Sequence, residues 1–186
     1  INASGGNNIV RGGAGDDNIS ASIGSDMLYG EDGDDTLIGG FGSDVLVGGP
    51  GNDNMQGGDA GENVVDVFVW NLGDQGAPAT PAIDSILNFA TAAAGSLVGG
   101  DVLNLRDLLQ GERVGPSNGA GNLANYLHFV ISGGDTLIHV SHTGGFASDS
   151  HAVGAAYSTA AETQRIVLVG VNLQSLYSGA TTDAQI

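Results

Sequence analysis

The residues best placed to do chemistry in this chain are acidic, and they recur at a fixed step. Asp17, Asp26, Asp35, Asp44 and Asp53 stand nine residues apart, with Asn8 one step before them and Glu62 one step after. A glycine keeps the same step two residues earlier, at Gly6, Gly15, Gly24, Gly33, Gly42 and Gly51, failing only at Ala60. An apolar residue keeps it two residues later, at Val10, Ile19, Leu28, Leu37, Leu46, Met55 and Val64. Three columns hold phase without insertion from Ala3 to Val65. A file of carboxylates at one spacing is the chemistry of cation ligands.

The element that must position them follows from the period. Nine residues are too few for a helical hairpin, and a helix does not tolerate so much glycine. Six residues of turn and three of strand fit, with the eighth residue pointing inward. Such a unit cannot pair with itself, so the chain winds into a solenoid and stacks each strand on a later copy. With two copies per coil, turns two copies apart lie about 4.8 Å from each other. That sets Asp17 by Asp35, Asp26 by Asp44, and Asp35 by Asp53. Stacked carboxylates repel unless a cation lies between them. Calcium suits the place, since it takes six to eight oxygens from carboxylates and carbonyls in flexible geometry. Magnesium asks for stricter geometry, and the repeat has neither cysteine nor histidine for zinc or soft metals.

The nonapeptide G-G-x-G-x-D-x-U-x resembles the calcium-binding repeat of the RTX family, which implies an all-β, right-handed parallel β-roll. The resemblance also implies ligands. Carbonyls of positions two and four join the Asp of one turn. Carbonyls of positions one and three join the Asp of the turn two copies later. Carried onto this chain, one site takes Gly13, Gly15 and Asp17 with Gly30, Asp32 and Asp35. The next takes Ser22, Gly24 and Asp26 with Gly39, Phe41 and Asp44. A third takes Glu31, Gly33 and Asp35 with Gly48, Pro50 and Asp53. Edge sites would join Asn8 to Asp26, and Gly42 and Asp44 to Glu62. About three to five calcium ions are expected in all.

Composition supports this. Of 186 residues, 21 are acidic and four are Lys or Arg, giving a net charge of −17. An acidic surface excludes nucleic acid and anionic membrane as partners. Cysteine is absent, no apolar run approaches the roughly eighteen residues of a membrane span, and no signal-peptide pattern opens the chain. The chain begins inside a repeat, so a piece of a longer protein is expected. Weak calcium sites belong to extracellular modules, and calcium can serve there as the staple that disulfides otherwise supply.

Past Val65 the repeat ends, and a division into a β-roll over 1–65 and a β-rich capping domain over 66–186 is expected. Asp66–Trp70 reads as a longer strand covering the open end of the roll. Further strands are expected at Ile83–Phe89, from Asp101 into a short helical turn ended by Gly111, at Leu127–Ser132, and at Gln164–Val169. Gly133-Gly134 would turn a hairpin into Asp135–Ser141. A short helix is expected at Asn122–Tyr126, and a long loop at Thr143–Ala161. This order resembles the C-terminal type I secretion target domain of large bacterial RTX adhesins. The resemblance rests on D-x-I-x-x-F at Asp84, G-G-D-V-L-N-L-R-D-L-L at Gly99, N-L-A-N-Y-L at Asn122 and I-V-L-x-G-V at Ile166. It implies a secreted or cell-surface protein, a type I exporter as partner, and a role in adhesion and biofilm.

The remaining candidates read as structural. His139 and His142 would not share a face, so a zinc pair is not expected, and no H-E-x-x-H stretch occurs. Asp84, Asp101, Asp107 and Asp135 can build an extra calcium site, although such acids more often cap helices or sit in turns. Phe68, Trp70 and Phe89 read as core. The chain is expected to be a monomer and not an enzyme. The alternatives are a non-catalytic RTX tail of an exported protease or lipase, and a surface glycan-binding module.

Overall fold

Residues 1–59, 63–91, 100–110, 125–146, 152 and 155–173 are described by a computed structural model. Twelve strands are formed among them. They are β1 (Ile9–Ala14), β2 (Asn18–Ser20), β3 (Met27–Asp32), β4 (Thr36–Ile38), β5 (Val45–Val47), β6 (Asn54–Gln56), β7 (Val67–Val69), β8 (Ala82–Leu87), β9 (Val102–Asn104), β10 (Leu127–Ser132), β11 (Asp135–Val140) and β12 (Gln164–Leu168). Positions seven to nine of the repeat form the strands, with β1 and β3 running three residues further into the next copy, and the glycine-rich remainder is the turn. Strands β1 to β9 alternate between two sheets, and β10 to β12 all join the second; the orders are β1-β3-β5-β7-β9 and β10-β11-β12-β8-β6-β4-β2. Pairing is parallel throughout, except that β10 and β11, and β11 and β12, run antiparallel.

Register explains why the apolar column faces inward. Leu28 pairs with Leu46 and Leu46 with Phe68 in one sheet; Leu37 pairs with Met55 and Met55 with Ile86 in the other. All six side chains are fully buried. Each is worth roughly 1.5–3 kcal/mol of burial, which the short strands could not supply by hydrogen bonding alone.

The glycine column makes the turns. Gly42 has a φ of 121°, and a Cβ there would lie 1.9 Å from the carbonyl oxygen of Gly24 one coil below. Only glycine combines that angle with that approach.

The seventh copy departs from the expected phase. Val64 is half-buried, and its core place belongs to Phe68. Four extra residues enter this turn, so Asp66 rather than Glu62 continues the acidic column beside Asp44. The segment around Asp66–Trp70 is therefore not a lid across the end of the roll. β7 is the next rung of one sheet, and β9 stacks beyond it. The sequence repeat stops at Val65, yet both sheets run on across that point.

Beyond it, the strands expected around Ile83, Asp101, Leu127, Asp135 and Gln164 are β8 to β12. Gly133 and Gly134, both at positive φ, turn the β10–β11 hairpin. After β9, the amides of Leu108 and Leu109 both donate to the Leu105 carbonyl, a single helical turn. The helix expected at Asn122–Tyr126 lies mostly outside the described residues, as does much of the Thr143–Ala161 loop. Phe68 and Phe89 pack at 6.1 Å between ring centroids; Phe68 and Trp70 are buried in the core, and partly buried Phe89 packs against it.

Candidate metal centre

The acidic column forms two ladders, one along each edge of the roll. In the first, the Asp17 amide donates to Asp35 Oδ1 at 2.8 Å, Asp35 to Asp53 at 2.9 Å, and Asp53 to Asp84 at 2.9 Å. In the second, Asn8 donates to Asp26 at 2.7 Å, Asp26 to Asp44 and Asp44 to Asp66 at 2.8 Å, and Asp66 to Asp101 at 3.0 Å. Each carboxylate thus spends one oxygen on the backbone of the coil before it. The pairs expected from the nine-residue step are adjacent: Asp17 with Asp35, Asp26 with Asp44, and Asp35 with Asp53.

The other oxygen is what a cation would use. Oδ2 of Asp26, Asp35 and Asp53 is buried and accepts no hydrogen bond among the described residues. A buried, uncompensated carboxylate oxygen is costly. Burial pushes Asp53 up to about 8 and also raises Asp35, the neighbouring aspartates adding to both. A positive charge would reverse this.

The glycine oxygens converge on the same turns. A Cβ on Gly30 would fall 2.1 Å from Asp35 Oδ2 and 2.6 Å from the Gly48 carbonyl oxygen. One on Gly39 would meet Asp44 Oδ2 at 2.3 Å, and one on Gly48 would meet Asp53 Oδ2 at 2.0 Å. Carbonyls of Gly15, Gly24 and Gly33 face Gly33, Gly42 and Gly51 one coil on, while those of Ser22 and Glu31 face Gly40 and Gly49. Carbonyls of Asp32, Phe41 and Pro50 accept the amides of Gly15, Gly24 and Gly33. Gly13 pairs with Glu31 in the β1–β3 ladder. The carbonyls of Gly15, Ser22, Gly24, Glu31, Asp32, Gly33, Phe41, Gly48 and Pro50 therefore lie between turns one coil apart. Carboxylate pairs and carbonyls are a donor set fit for calcium. Among the described residues no three Asp, Glu or His side chains group around one point, so a cation here would lean on carbonyls as well.

A second file of side chains escaped the sequence reading. Asp16 accepts the amide of Asp34, Asp34 that of Asn52, and Asn52 that of Ile83. These exposed position-five residues stitch the coils in the opposite direction. Their signal was the recurrence of Asn, Asp and Ser just before the sixth column.

The distal acids do not form one site. Asp84 and Asp101 end different ladders, Asp135 accepts the Gly170 amide, and Asp107 is exposed. His139 and His142 make separate contacts. His139 meets buried Glu162 at 2.7 Å, and His142 bonds Thr163 Oγ1 at 3.0 Å. Arg165 reaches Glu162 with two bonds, at 2.8 and 2.9 Å. Burial would raise Glu162, but the bonds from His139 and Arg165 outweigh it and take the group down to about 2. A G-x-S-x-G spelling at Gly115–Gly119, overlooked in the sequence reading, lies outside the described residues.

Comparison with known proteins agrees with the repeat. The family model described as RTX calcium-binding nonapeptide repeat (4 copies) matches residues 1–28 and 29–61. Two similar solved structures are subunits of the Azotobacter vinelandii mannuronan C5-epimerase. AlgE6R3 is 22% identical, with a TM-score of 0.38, covering 89% of this chain and 72% of its own. AlgE6R2 is 21% identical, with a TM-score of 0.43, covering 93% and 89%. Among curated proteins nothing matches. Residues 1–61 of this chain are RTX calcium-binding nonapeptide repeats.

Proposed function

We propose that this chain is a calcium-dependent folding module of an exported bacterial protein, an adhesin, with its C-terminal part serving as the type I secretion signal. The observation that carries the calcium part is the buried Oδ2 of Asp26, Asp35 and Asp53, unpartnered among the described residues. Inside a cell, where calcium is scarce, the stacked aspartates repel and hold the roll open. Outside, carboxylates and carbonyls of facing turns would hold calcium at about three to five places, and its charge would let the apolar column close. Ligand bound only by the folded state adds stability as its concentration passes the dissociation constant, so export and folding become coupled. In this reading calcium supplies the positive charge, and the residues of the ladders supply oxygens. The segment 66–186 carries the resemblance to the secretion target domain, and the exporter would be its partner. No catalytic role is assigned to the chain.

Expression beside a type I exporter tests the export half. The intact chain should reach the medium, and a chain lacking residues 66–186 should stay inside. Equal export of both would place the signal elsewhere and overturn the secretion role of residues 66–186.

A further inference from the structure

The two acidic ladders do not end as they begin. Asp26, Asp35 and Asp53 each keep a buried Oδ2 with no hydrogen-bond partner among the described residues. Asp84, the last rung of its ladder, does not. Its Oδ1 accepts the Asp53 amide, and its Oδ2 accepts Trp70 Nε1 at 2.6 Å and Gln164 Nε2 at 2.8 Å. Asp101, the last rung of the other, accepts the Asp66 amide at 3.0 Å and the Ala90 amide at 2.7 Å on its second oxygen. The terminal carboxylates have both oxygens taken by protein donors.

The donors are fixed in place. Gln164 opens β12 beside β8, and its own Oε1 is buried without a partner among the described residues. Turning the amide over would set Oε1 against the Asp84 carboxylate, oxygen on oxygen at under 3 Å, so Nε2 must face it. A calcium ion seated on Asp84 Oδ2 would lie against the indole and amide protons, which carry positive charge of their own. Two short charge-assisted bonds do there what a cation does elsewhere.

We propose that Trp70 and Gln164 stand in for a cation at Asp84, and the Ala90 amide for one at Asp101, so that neither Asp84 nor Asp101 is a calcium ligand. The column of ions ends before these rungs, and the distal strands join the roll through hydrogen bonds and apolar packing without metal. This inference rests on the calcium reading above. It explains how the β10–β12 sheet can continue a metal-held solenoid without metal of its own.

The test is the number of calcium ions bound by the full chain, counted by calorimetric titration of decalcified protein with Ca2+ and by native mass spectrometry. Asp84→Asn should bind as many ions as the unsubstituted chain, whereas Asp35→Asn should bind fewer. Gln164→Glu, which sets a second carboxylate against Asp84, should bind one ion more. Loss of an ion in Asp84→Asn with the β-sheet spectrum retained overturns the inference, as does Gln164→Glu folding with the unsubstituted count. Absence of calcium binding in every variant overturns the calcium reading itself, and this inference with it.

Discussion

The amide of Asp53 donates to Asp84 Oδ1 at 2.9 Å across 31 residues of sequence, where the same bond earlier in the ladder spans 18. The rung survives although thirteen extra residues enter the coil between them. What the roll conserves from coil to coil is thus the half containing Asp and the apolar strand residue. The turn half is free to grow.

Asp35 is central to its ladder. It accepts the Asp17 amide, donates its own to Asp53, and in the ligand scheme serves two adjacent ions. Asp35→Ala should raise the calcium midpoint of folding roughly tenfold or more, about 1.4 kcal/mol or above. Exposed Asp59→Ala should leave it unchanged. Circular dichroism titrations of the two variants check this, and equal midpoints would refute the pairing.

Gly42→Ala tests the turn together with the Gly24 carbonyl that the ligand scheme uses. The new Cβ meets backbone, which cannot swing away, at an angle that L residues rarely adopt. A loss on the order of 2 kcal/mol is expected in calcium-loaded protein. Denaturant unfolding at saturating calcium measures it.

Acid should partly replace calcium. In the metal-free protein, burial holds Asp53 near 8 against an ordinary 3.8, and Asp84 near 6. Between those values the folded chain keeps protons that the unfolded chain releases, so stability of the metal-free form falls as pH rises from about 4 to about 8. Unfolding curves in chelator should show this slope, and saturating calcium should flatten it.

Glu162 has the opposite sign. Its value is depressed to about 2, so its contribution is present above the ordinary 4.5 and is lost as pH falls towards 2. Glu162→Gln leaves buried His139 and half-buried Arg165 short of their partner and should cost roughly 3 kcal/mol. Hydrogen exchange at the β11 and β12 amides should accelerate in the variant, and unchanged protection there would contradict the role.

Much of this was legible in the residues. The three columns give the strands, the inward face and the adjacency of Asp17, Asp35 and Asp53, because each depends only on the nine-residue step. Phase was lost at Gly57, where Glu62 and Val64 imitate the sixth and eighth positions. The true continuation is Asp66 and Phe68, and Asp-x-apolar recurs at Asp84 and Asp101 without the glycines that drew the eye. The turn insertions hid it. The Glu162–His139 contact joins residues 23 apart through antiparallel pairing, and no local pattern announces it.

Far-UV circular dichroism of the whole chain, titrated with calcium from chelator and with magnesium alongside, tests the central claim most directly. The account predicts a cooperative gain of β-sheet signal with calcium and none with magnesium. A spectrum already complete in chelator would mean that the ladders are a permanent scaffold, and calcium-driven folding would be contradicted.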